Sequence, residues 1–212
     1  MMADRFPRLY LVTDRHRTAG RPLLDAVASA LQGGVDAVQL REKDLTTRAL
    51  VELGLALCEL CHRHQARLLI NDRIDVALAV HADGVHLPAN SFSPSDARRL
   101  LGPNALIGVS THSLGDARAA QDAGADFIVF GPIFDTPSKR ALGAPQGLDG
   151  LAAVTRALST PIVAIGGITT ERAPAVRAHG AQGIAVIAAI LDAPDRRHAA
   201  EALRNAVSGI AG

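Results

Sequence analysis

The sequence predicts an α/β chain closed into an eight-stranded β/α barrel, and three observations carry that expectation. Short β-rich runs alternate with longer helical patterns along the whole chain, and eight such runs can be counted. A similar phrase returns before strands, as GGVDAVQL, HADGVHL, AGADFIVFG and HGAQGIAVI. In each phrase a helix end meets a Gly-containing turn, then a small or acidic residue, then an apolar strand; glycine suits the left-handed position that stops a helix. Finally, polar and charged residues gather after the strands while the strand bodies are apolar. Repeated β-then-helix units give parallel strands joined by crossovers, and eight of them favour closure over an open doubly wound sheet. The expected fold is a TIM (β/α)8 barrel, with residues 1–212 as a single domain.

The expected strands are Leu9–Thr13, Ala37–Leu40, Leu68–Ile70, Gly84–Leu87, Leu106–Val109, Phe127–Phe130, Ile162–Ile165 and Gly183–Ile187. Each is short, apolar and bounded by turn residues, as strands buried on both faces are. The helical segments between them are Leu23–Gln32, Thr47–His64, Ile74–Val80, Pro94–Leu100, Leu114–Ala123, Leu148–Leu158, Thr170–Ala178 and Asp195–Val207. A further short apolar helix is expected at Ala188–Leu191.

Composition narrows the function classes. Apolar residues make up 48% of the 212, and 22 basic residues nearly balance 21 acidic ones. The basic residues are scattered, so nucleic acid is not an expected partner. No apolar run reaches the length of a membrane span, and MMADRFPR lacks the apolar core of a signal peptide, so the expected setting is a reducing cytoplasm. Cys58 and Cys61 form a CELC inside a helical pattern with no second pair to complete a zinc set, and are expected to be buried or half-buried helix residues.

In a β/α barrel, chemistry belongs to the strand C-terminal ends and the loops after them. Those ends carry Thr13-Asp14-Arg15, Gln39-Leu40-Arg41-Glu42-Lys43, Asn71-Asp72-Arg73, His86 to Ser91, Ser110-Thr111-His112-Ser113, Gly131 to Lys139, Gly166-Gly167 and Ala188. The last two strands each discharge through small residues into an expected helix start. Unpaired N–H groups and the helix dipole favour an anion there. Gly166, Gly167, Ile187 and Ala188 are therefore expected to cradle a phosphate, and Arg41, Lys43 and Lys139 on the same rim point to an anionic substrate.

The motifs LYLVTD, VQLREKD, LINDRIDVAL, DGVHL, IGVSTHS, ADFIVFGPIFDTPSK, PIVAIGGI and GIAVIAAI, in this order, resemble the thiamin-phosphate synthase and thiazole tautomerase superfamily across almost the whole chain. The resemblance implies a TIM barrel, thiamin biosynthesis and a thiazole phosphate ligand. For the synthase branch it implies that Gln39, Arg41, Lys43, Asn71 and Lys139 hold an aminopyrimidine methyl diphosphate. Ser110, Thr136 and Ser138 complete the substrate-binding set, and Asp72 is a ligand of Mg²⁺. That family brackets the metal between two aspartates, whereas Ser91 stands at the second position here.

The run LPANSFSP, with Ala188 where synthases commonly have serine, resembles the tautomerase branch instead. A magnesium site short of one carboxylate is weakened. The favoured expectation is accordingly a thiazole tautomerase, which needs no cofactor, with His112 as its general acid–base. The alternative is the Mg²⁺-dependent synthase, and a non-catalytic thiazole or thiamin phosphate binder stands behind both. The oligomeric state stays open, a homodimer being common for small barrels, as does a lid role for Thr136–Gln146. His86 is left free to point into the barrel or away from it.

Overall fold

The computed structural model describes residues 6–135 and 144–209, and it is a closed parallel barrel in which each strand pairs with its neighbours in chain order and β8 returns to β1. The strands are β1 (Leu9–Val12), β2 (Ala37–Leu40), β3 (Arg67–Asn71), β4 (Gly84–Leu87), β5 (Leu106–Thr111), β6 (Phe127–Phe130), β7 (Ile162–Ile165) and β8 (Gly183–Val186). Around them run α1 (Leu23–Gln32), α2 (Thr47–Arg63), α3 (Ile74–Ala79), α4 (Pro94–Leu101), α5 (Leu114–Asp122), α6 (Gly147–Ala157), α7 (Ala173–Ala178), α8 (Ala188–Leu191) and α9 (Arg196–Ser208). This is the expected TIM barrel. Thr136, Ser138 and Lys139, with the rest of the 136–143 stretch, lie outside the described residues.

Two corrections concern boundaries. β5 runs two residues further than expected, so Ser110 and Thr111 belong to the strand. The helix after β7 begins at Ala173 rather than Thr170, because Arg172 and Ala173 both turn back to donate to the Thr169 carbonyl, at 3.1 and 2.9 Å.

The recurring phrase has a structural counterpart at the base of the barrel. The residue just before each even strand is Asp36, Asp83, Asp126 or Gln182. Its backbone N–H donates to the first carbonyl region of the preceding odd strand, at Leu9, Leu68, Ile107 and Ile162. Its side-chain oxygen then accepts the N–H of that same residue, at 3.1, 2.8, 2.8 and 2.8 Å. Four two-strand units are thus stapled by the same two-bond clamp, which satisfies the donors that open each odd strand.

Alternate residues face inward and outward along each strand. Outward ones, such as Leu9, Leu11, Leu68, Ile70 and Ile128, join the helices in one core layer; inward ones, including Tyr10, Leu69, Phe127, Val129 and Val163, fill the barrel. Gly108 lies on β5 where a Cβ would come within 2.3 Å of the Phe127 ring, so the ring takes that space. Phe127 meets Tyr10 edge-on at 5.8 Å, and His86 packs against both. His86 therefore points into the barrel.

Cys58 and Cys61 are buried on α2, and burial pushes the Cys61 thiol up to about 12. No helix among the described residues is long and apolar enough to cross a membrane.

Asp83→Ala removes the acceptor from the Leu68 N–H, and a loss of about 1–3 kcal/mol in urea unfolding is expected. Asp83→Asn, which keeps an oxygen there, should recover most of it. Burial, with Arg41 nearby, pushes the His86 imidazole down to about 3 from 6.5. Between those values the unfolded chain binds a proton that the native chain does not, so stability rises with pH and is lost as pH falls from 6.5 toward 3. Unfolding free energies measured from pH 7 to pH 4 should therefore fall more steeply in the unsubstituted protein than in His86→Gln; equal slopes would assign the acid sensitivity elsewhere.

Candidate active site at the C-terminal rim

Parallel closure puts all strand C-terminal ends on one rim, and strand register decides which inward side chains meet there. Gln39 is paired with Leu69, Asn71 with His86, and His86 with Gly108, two residues before Ser110. Gln39 is buried, and its Nε2 donates to the Tyr10 hydroxyl at 3.2 Å. His86 Nε2 lies 2.7 Å from Ser110 Oγ. These side chains form the floor of the rim.

The basic residues of QLREK stand above it. The Arg41 N–H donates to Thr13 Oγ1 at 2.9 Å, so the fully buried Thr13 fixes the backbone on which Arg41 sits. Glu42, between the two cations, turns inward and accepts from the Arg15 backbone N–H at 3.1 Å and from its guanidinium at 3.3 Å. That ties the loop after β1 to the loop after β2. Arg41 is left half-buried and Lys43 exposed, and neither forms an ion pair among the described residues. The sequence reading missed Thr13 and Glu42 as supports; a polar residue ending an apolar strand was the available signal.

After β3 the chain turns sharply through Asp72, whose φ is +66°, a left-handed conformation that aspartate tolerates better than most residues. Its N–H donates to the His86 carbonyl at 2.9 Å. The loop after β4 folds back through a Ser91 N–H to Pro88 carbonyl bond of 3.1 Å, and the Ser91 hydroxyl donates to Asp72 Oδ1. Ser91 thus lies directly against the carboxylate that the sequence reading had left alone. Among the described residues no three His, Cys, Asp or Glu side chains assemble as a metal set.

On the opposite side, the loop after β6 lies along the loop after β7. Ile133 and Phe134 donate to the carbonyls of Ile165 and Gly166, at 2.8 and 3.0 Å. Gly166 and Gly167 have φ of +104° and +63°, and a Cβ on Gly166 would come within 2.6 Å of Pro132, so both the turn and the close approach require glycine. Since α7 starts only at Ala173, the expected helix N-terminus directly after Gly167 is absent. Of the two helix starts in the expected cradle, the one present is α8, entered through Ile187 with Ala188 exposed. Arg172, also missed from sequence, donates to the Gly167 carbonyl at 2.7 Å and stacks 4.6 Å over Phe134.

His112 donates from Nδ1 to the Gly131 carbonyl at 2.5 Å, which ties the ends of β5 and β6 together. A cavity of about 310 Å³ lies at the other face of the barrel, lined by Arg8, Asp36, Arg67 and Arg204 among others. That is the face where residues serve stability rather than chemistry.

A family model described as thiamine monophosphate synthase matches residues 9–190. A Moorella thermoacetica protein named thiamine-phosphate synthase is 46% identical over 200 residues, covering 94% of this chain and 95% of the relative. A Geobacter sulfurreducens protein, for which the same name is a provisional one, is 54% identical over 195 residues and 92% of each chain. The solved thiamine phosphate pyrophosphorylase from Pyrococcus furiosus superposes with a TM-score of 0.89 at 38% identity, covering 99% of this chain and 98% of that one.

These relatives overturn the expectation of a thiazole tautomerase, an isomerase with His112 as proton carrier, which rested on LPANSFSP and the lost second aspartate. Physically, the step that failed was to equate a serine at that position with loss of the site: Ser91 still places an oxygen against Asp72. With the same barrel, a family match over residues 9–190 and near-complete coverage on both sides, the chain belongs to the thiamine monophosphate synthase family.

Proposed function

We propose that the chain is a thiamine-phosphate synthase, coupling an aminopyrimidine methyl diphosphate to a thiazole phosphate with release of pyrophosphate. The observation that carries this is the assembly on one rim of Gln39, Arg41, Asn71, Asp72 and Ser110, with Ser91 bonded to Asp72.

The reaction breaks the bond between the pyrimidine methylene carbon and the diphosphate oxygen, and the thiazole takes that carbon. Negative charge grows on the departing pyrophosphate, so positioned cations lower the barrier. Arg41 and Lys43 are held on the β2 loop for that role, and the resemblance assigns the same role to Lys139, which lies outside the described residues. Gln39 and Asn71 orient the pyrimidine from the floor. Ser110 holds substrate from the β5 side, and the resemblance adds Thr136 and Ser138, which lie outside the described residues. The thiazole phosphate rests against Gly166, Gly167, Ile187 and Ala188, where backbone N–H groups survive whatever side chain stands at Ala188.

Magnesium accepts one or two carboxylates and completes its shell with substrate phosphates and waters. An exposed Asp72 carboxylate with the Ser91 hydroxyl against it fits that requirement. Asp72 and Ser91 would hold the ion, which when bound supplies charge neutralisation to the diphosphate.

Purified protein given both substrates and Mg²⁺ should form thiamin phosphate, and a chelator should stop it. Tight thiazole phosphate binding without any product would sink the synthase reading. In Ser91→Asp, half-maximal activity should require several-fold less Mg²⁺, because a second carboxylate adds charge at the ion. An unchanged Mg²⁺ requirement would mean that position 91 does not face the metal.

A further inference from the structure

His86 is a buried polar residue to which the reaction just described gives no task. It sits on the inner face of β4 between Tyr10 and Phe127, with ring centroids at 6.0 and 6.4 Å. Its Nε2 is 2.7 Å from Ser110 Oγ, whereas Nδ1 is buried and meets no hydrogen-bond partner among the described residues. A neutral imidazole carries one N–H and one lone pair. Orphaned buried N–H groups are rarer than under-satisfied acceptors, so the nitrogen without a partner is the one with the lone pair. The proton then lies on Nε2, inside the contact with Ser110.

That fixes the direction of the bond. Ser110 accepts from His86, and its own hydroxyl hydrogen is left to point elsewhere. Ser110 is half-buried near the C-terminal end of β5, one strand from His86, and its open side is the rim. With the proton on Nδ1 instead, Ser110 would have to donate to His86 and could offer the rim only lone pairs, which repel a phosphate oxygen.

We propose that His86 is a positioning residue for the coupling reaction: as the Nε2–H tautomer it makes Ser110 a hydrogen-bond donor toward a phosphate oxygen of the substrate. The proposal rests on the synthase reading for the identity of that anion, but not for the direction of the His86–Ser110 bond. The aromatic packing serves the same end, because Tyr10 and Phe127 hold the ring in place and bury Nδ1 away from water.

The test begins with ¹⁵N–¹H correlation spectra of the full unsubstituted chain without substrate, the His86 signals being identified by their loss in His86→Gln or their shift in Ser110→Ala. The pattern of an Nε2–H tautomer is expected; an Nδ1–H pattern overturns the proposal. Side-chain length then provides a second arm. The amide of Gln reaches the depth of Nε2 and can donate to Ser110, whereas that of Asn ends at the depth of Nδ1. His86→Asn should lower kcat/KM by about tenfold or more, mainly through kcat, and His86→Gln should restore most of it. In a Ser110→Ala background, His86→Asn should add no further loss. Equal impairment of Asn and Gln variants, or losses that multiply in the double variant, would show that His86 acts only by filling space. Absence of turnover in the unsubstituted protein would remove the synthase reading while leaving the tautomer result standing.

Discussion

Asp36, Asp83, Asp126 and Gln182 each use both backbone and side chain to bind one residue at the start of the strand before them, the first in β1 and β7 and the second in β3 and β5. A closed parallel sheet has no edge to leave in water, yet every strand must begin somewhere, and an N–H near the start of each odd strand would otherwise face the barrel base without the side-chain acceptor it has. One acceptor at one repeated position meets that demand four times over. It also sets register, because the clamp fixes which residue of the odd strand lies beside which residue of the even one. Since side chains alternate strictly along a strand, a one-residue slip would turn Gln39, Asn71, His86 and Ser110 out of the barrel. The rim at the far end therefore depends on hydrogen bonds made at the base.

Between base and rim lies an interior filled by large rings rather than by uniform aliphatic layers. Gly108 leaves the room that Phe127 occupies, and Phe127, Tyr10 and His86 then pack as a unit. Two of those three rings carry polar atoms, and both spend them upward, Tyr10 on Gln39 and His86 on Ser110. Packing thus does the work of orientation, since a floor that cannot shift holds the polar groups above it within hydrogen-bond reach of a ligand. Around this floor, Thr13, Glu42 and Arg15 brace the loop that bears Arg41 and Lys43.

The serine at position 91 shows how far residue-by-residue matching carries. Read along the chain, a hydroxyl in place of a carboxylate removes a charge from a hard-metal site and turns the expectation toward an isomerase. In space, the β4 loop still brings that side chain onto Asp72. The tautomerase reading gave way because relatives at 46% identity and above, and a solved structure superposing over almost the whole chain, carry the thiamine-phosphate synthase name or its pyrophosphorylase equivalent.

Much of this protein was determined by its sequence because the signals are local. Eight apolar runs, the helices between them and the recurring Gly-then-acid phrase follow from short-range backbone preferences, and together they specify a barrel with polar residues gathered on one rim. Gln39, Arg41, Lys43, Asn71 and Asp72 could be placed on that rim for the same reason, each closing or following a recognisable strand. Tertiary structure alone decided the rest. Whether His86 faced in or out depended on register; whether Ser91 met Asp72 depended on the path of a loop; and the helix expected after Gly167 was displaced by a turn at Thr169. Those outcomes arise from contacts between residues 19 or more positions apart, or from competition between a turn and a helix, and no pattern along one strand or helix encodes them.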